Sequence, residues 1–109
     1  MIGPLIHLTQ EELNDINNTT STLKLGIIVA GFVDYLLKEL VLFTATNKEI
    51  CVPFNMFQER RNIKPDFHKF SLIDYGHTIK LGEYEAASSA ILYELDPEYK
   101  MYADQNRLK

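Results

Sequence analysis

The segment from Leu40 to Phe54 constrains the fold of this chain more than any other. Two runs rich in β-branched and aromatic residues, Leu40 to Thr46 and Glu49 to Phe54, flank Asn47-Lys48. Such runs fit a pleated surface, and asparagine tolerates the left-handed backbone of a tight turn, so the segment predicts a β-hairpin. Side chains alternate along a strand, which puts Ile50, Val52 and Phe54 on one face. Pro53 cannot donate to a ladder and marks a strand end or a sheet edge.

Upstream, Leu23 to Phe43 admits two readings. As a helix, Ile28, Phe32, Tyr35, Leu36 and Leu40 make an apolar stripe. As strands, Ile27-Ile28-Val29 and Val41-Leu42-Phe43-Thr44 have the right residue types. Gly26 and Gly31 would each weaken a helix by about 1 kcal/mol relative to alanine, which favours strands.

The remaining signals are local. Thr9 and Glu12 form a capping box, with Leu8 and Leu13 as its hydrophobic staple. A short helix is expected from Thr9, with Leu13 and Ile16 toward the core, stopping near Asn17 to Thr22. Gln58 to Pro65 reads as a polar loop. Phe70 to Asp74 and Thr78 to Leu81 predict a second hairpin around Tyr75-Gly76-His77, with Gly76 supplying a positive φ. Ser88 or Ser89 is expected to cap a helix through Leu95. Asp96-Pro97-Glu98 reads as the N-cap, first-turn proline and acidic start of a last helix carrying Tyr99 and Tyr102. A tail from Asp104 to Lys109 is expected to fray.

The expectation is therefore one α+β domain over residues 1–109. A small antiparallel sheet of hairpins spans about 27–82, with a short N-terminal helix near 9–17 and helices near 88–105 packed on it. At 109 residues the chain can build one core, with little left to enclose a deep pocket.

Charge narrows the partners. Eleven basic residues stand against fifteen acidic ones, for a net charge of -4. Tight duplex binding rests on neutralising phosphates, so nucleic acid is not favoured as a global partner. The apolar stretch Leu25 to Phe43 carries Asp34, Lys38 and Glu39, which are costly at mid-bilayer, so no membrane span is expected. The N-terminus has no basic segment followed by an apolar run, so no signal peptide is expected. The lone Cys51 can neither staple the fold nor build a thiolate metal site. It is expected to pack inside a strand, in a reducing cytoplasm.

The stretch from about Val33 to Glu94 resembles domain-of-unknown-function family 2442, a set of small bacterial α+β proteins. The resemblance lies in Val33-Asp34-Tyr35, Leu40-Val41-Leu42-Phe43, Asn47-Lys48 and Ile50-Cys51-Val52. It continues in Phe70-Ser71-Leu72, Gly76-His77-Thr78-Ile79-Lys80-Leu81 and Glu83-Tyr84-Glu85, then the helix through Ile91-Leu92. The family's tryptophan near Leu81 is absent here. The resemblance implies a compact α+β domain with a small antiparallel sheet and does not imply an enzyme. Some relatives look like partners in toxin–antitoxin modules, and others sit beside a DNA-binding helix-turn-helix.

Candidate chemistry is sparse. His68, Asp74 and His77, joined by Asp66, are ligand types, but their spacing matches no ligand box, and solvated turn residues explain them. His7 is isolated. Glu83 and Glu85 on a strand would face one side roughly 7 Å apart; a solvated face with Tyr84 buried explains them too. Ser71, Ser88 and Ser89 lack a nucleophile elbow, and the glycines form no phosphate loop. No catalytic residue, metal or cofactor is assigned.

Two contact surfaces are expected. Arg60, Arg61 and Lys64, with Phe67, His68 and Lys69 nearby, make a basic loop suited to an acidic protein surface or a phosphate. Tyr93, Tyr99 and Tyr102 make a tyrosine-rich flank near the C-terminus, for which core packing with a satisfied hydroxyl is the stronger competing reading. The leading expectation is a non-catalytic, regulatory or inhibitory protein-binding module, antitoxin-like in mode. The alternatives are a nucleic-acid-associated regulator using the Arg60-Arg61 loop, and a small ligand-binding protein or enzyme with Glu83 and Glu85 at a dimer interface. Sheet edges that need covering are compatible with a homodimer.

Overall fold

In a computed structural model the chain has an α+β fold, described here for residues 1–18 and 24–107. Its elements are β1 (Ile6–His7), α1 (Gln10–Asn17), β2 (Ile28–Asp34), β3 (Glu39–Thr44) and β4 (Glu49–Pro53), then β5 (Phe70–Ile73), β6 (Thr78–Leu81), β7 (Tyr84–Ala87), α2 (Ser88–Leu95) and α3 (Pro97–Arg107).

The expected single sheet is two. A four-stranded antiparallel sheet runs β1-β2-β3-β4, and a three-stranded one runs β5-β6-β7. The strand reading of 23–43 holds for β2 and β3, and the hairpin around Asn47-Lys48 is present with Asn47 left-handed at φ 66. Pro53 ends β4, which lies at the edge of its sheet.

The two sheets and α2 enclose the main core. Val33, Leu40, Leu42 and Val52 meet Phe70, Ile79, Leu81 and Tyr84, with Ile91 and Leu92 closing the side. Gly31 permits this close approach, because a Cβ there would lie 2.8 Å from the Val41 carbonyl and 3.1 Å from the Phe70 ring. A smaller cluster of Leu8, Ile16 and Ile27 docks α1. The Thr9–Glu12 capping box forms in full, with Thr9 Oγ1 accepting from Glu12 N–H and Glu12 Oε1 accepting from Thr9 N–H. The helix ends at Asn17, and residues 19–22 of the expected stop lie outside the described residues.

Four local expectations are corrected. Ala87, not a serine, occupies the N-cap of α2, and Ser88 Oγ instead donates 2.7 Å to the buried Gly76 carbonyl, because the turn before β6 tucks beneath it. That turn holds three successive left-handed residues, Asp74, Tyr75 and Gly76, where only Gly76 was expected. The tail does not fray from Asp104: α3 continues to Arg107, with residues 108–109 outside the described ones. Cys51 is exposed rather than packed, since it points away from the core on an edge strand.

Candidate functional site

The expected basic loop does not assemble into one patch. Arg60 and Ile63 pair across a two-residue turn, with Arg61 and Asn62 left-handed at its tip. The Arg60 guanidinium lies 5.6 Å from the Tyr84 ring centre, a cation–π contact that holds it against the fold. Arg61 is exposed at the tip. Lys64 reaches Glu59 at 3.9 Å. Phe67 is half-buried and stacked on Phe54 with centroids 3.8 Å apart, so it belongs to packing rather than to a surface. His68 stacks on Tyr35 at 4.9 Å, and their Nδ1 and hydroxyl are 3.1 Å apart.

Lys64, Lys69 and Lys80 do share an open cleft of about 570 Å3. Asp66 and Glu83 line it as well, so charges of both signs meet there. Glu83 sits in the two-residue turn Gly82-Glu83, where Gly82 takes a positive φ. Glu85 lies on β7 opposite Lys80. The two carboxylates therefore do not share a strand face as expected. Among the described residues, no group of three or more His, Cys, Asp or Glu is placed to hold a metal ion, and no helix is long and apolar enough to cross a membrane.

The tyrosine flank is largely internal. Tyr93 donates 2.6 Å to Asp104 and carries the Lys100 ammonium over its ring at 4.8 Å. Tyr99 packs on the main core and approaches Gly26. Tyr102 sits 6.1 Å from Tyr99. The Tyr93 and Tyr99 contacts tie α3 to the body, so these two rings are committed to packing, while Tyr102 meets Tyr99 within α3 itself.

A different surface stands out on the first sheet. Leu40, Leu42, Val33 and Val52 face the core, so alternation turns Val41, Phe43, Phe32 and Cys51 the other way. None of these four belongs to either core cluster. Phe32 and Val41 are cross-strand partners, as are Val41 and Cys51, and the Phe32 and Phe43 rings lie 6.1 Å apart. Val41 is 6% exposed only because its neighbours on the same face shield it. Solvated faces of antiparallel sheets are usually polar, whereas the middle of this one is apolar, with Asp34, Glu39 and Glu49 toward its ends.

Further exposed apolar residues lie near the N-terminus and in the β2–β3 turn. Ile2 pairs with Asp34, and Leu5 precedes the inward-facing Ile6; they are 62% and 57% exposed. Leu36 and Leu37 are 79% and 65% exposed in the turn itself. That turn is fixed, because Asp34 Oδ1 accepts from both of their backbone N–H groups at 3.1 and 3.0 Å. A contiguous apolar surface is where a partner gains most from excluding water.

Sequence reasoning missed this face. The available signal was the run Leu40-Val41-Leu42-Phe43, apolar at both parities, which marks a strand covered on both sides. No protein-family model, no curated protein and no solved structure matches the chain.

Proposed function

We propose that the protein is a non-catalytic protein-binding module that acts by covering part of another protein, in a regulatory or inhibitory way. The observation that supports it is the outer face of the first sheet, where Phe32, Val41, Phe43 and Cys51 form an apolar surface that, among the described residues, lies outside both core clusters. Ordered backbone beneath it keeps the ordering cost of binding low. The exposed Leu36-Leu37 turn lies beyond Asp34 and Glu39 at one end of this face.

Affinity purification from the cells that express the chain tests this reading. The tagged wild type and a Phe43→Ser variant are compared side by side. A stoichiometric protein held by the wild type and lost from the variant is expected. Identical sets of proteins on both would overturn it.

A further inference from the structure

We infer that the outer face of the first sheet takes a protein segment with an apolar centre and a border of lysine or arginine, and that it disfavours a second copy of this chain. The inference rests on the protein-binding reading and adds the partner's chemistry to it.

Three carboxylates border the apolar centre. Asp34 and Glu39 are cross-strand partners at the turn end of β2 and β3. Glu49 stands opposite Phe43 toward the other end. Cys51 lies between them and registers all three. Its thiol is held above its ordinary value by burial first, then by the negative charges of Glu39, Glu49 and Asp34. Among the described residues, no lysine or arginine forms an ion pair with any of the three. The other charged or titratable groups at this surface are His7, opposite Ala30, Lys38 in the turn, and the Met1 amino group, one residue before the Ile2 that pairs with Asp34.

An acidic border selects its partner by charge. A two-fold contact between copies sets one patch against itself and brings these carboxylates together. Like charges juxtaposed across an interface cost several kcal/mol and act against that pairing. A partner with ammonium or guanidinium groups around an apolar centre gains attraction at the border and burial in the middle.

Size limits the partner further. Strands about 4.8 Å apart and residues about 3.4 Å apart make this face roughly 20 Å on a side. That is about half of the roughly 800 Å2 that a standard interface covers on each partner. The occupant is therefore a strand, hairpin or single helix, with the Leu36-Leu37 turn as added contact.

A phage-displayed library of short random peptides, panned on the full chain, tests this. The expected peptides carry lysine or arginine beside aliphatic or aromatic residues and lose binding to Phe43→Ser. Their affinity is expected to fall by about tenfold between about 50 and about 300 mM salt. The exposed position of Cys51 makes Cys51→Lys a second variant that keeps the fold, and it is expected to abolish their binding. Peptides that depend on Phe43 but lack basic residues and ignore salt would overturn the charge inference and leave the docking face standing. Failure to recover any peptide that depends on Phe43 would overturn both. Self-association of the wild type that Phe43→Ser removes would make a second copy the occupant and overturn the inference.

Discussion

Lys48 Nζ lies 2.9 Å from Asp96 Oδ1 and 3.0 Å from Glu98 Oε1, so the tip of the first hairpin is bound to the junction between α2 and α3. Asp96 is buried, and its Oδ1 also accepts from the Glu98 N–H as the N-cap of α3. Removing the ammonium leaves a buried carboxylate with less compensation. Lys48→Met is expected to cost about 1–2 kcal/mol, read from chemical denaturation. The hydrogen bond to Asp96, joined by Glu98, raises the Lys48 pKa above its ordinary 10.5. A pKa raised on folding stabilises fully below the unfolded value and is lost as pH climbs through the folded one. The wild type should therefore lose stability relative to Lys48→Met only above about pH 10.5, and a difference that fades between pH 6 and 8 would refute the assignment.

The turn before β6 makes a sharper demand. Gly76 has φ +82, and a Cβ there would fall 2.1 Å from the Ile28 carbonyl oxygen. Gly76→Ala thus meets both backbone strain and a clash with backbone that cannot swing aside. A loss of about 3 kcal/mol or more is expected by thermal unfolding. Ser88→Ala removes the hydroxyl that donates to the buried Gly76 carbonyl and is expected to cost about 1–3 kcal/mol.

These two sites also show where sequence reading stops. The hairpin at Asn47, the capping box at Thr9 and the proline start of α3 were legible because each depends on neighbours a few residues apart. Ser88 was misread as a cap because its partner, Gly76, is twelve residues away across a turn. The division into two sheets depends on Phe70 closing over Gly31, which no local pattern records. The candidate site was least legible. Arg60, Phe67 and Tyr99 have the residue types of a surface, yet each is taken up by packing against another ring or the core.

The two faces of β3 should respond differently to truncation. Leu42 is fully buried in the main core, and Leu42→Ala is expected to cost about 2–5 kcal/mol. Phe43 is half-buried on the outer face and outside both core clusters, and Phe43→Ser is expected to cost less, about 1–2 kcal/mol. Equal losses by chemical denaturation would mean that something covers both faces.

Cys51 offers a chemical report on the same surface. Its exposure alone suggests a thiol that alkylates readily. Burial by the surrounding sheet face, and then the charges of Glu39, Glu49 and Asp34, instead hold its pKa above the ordinary 9.0. Only the thiolate reacts, so at about pH 8 iodoacetamide should label Cys51 more slowly than a small free thiol. Replacing Glu39 and Glu49 together by glutamine removes two of the charges and should speed labelling, while the burial contribution remains. A double variant that labels at the wild-type rate would place those carboxylates too far from the thiol to matter. The acidic border would then lose its local support, because the thiol reports on the charges that a basic partner is expected to meet.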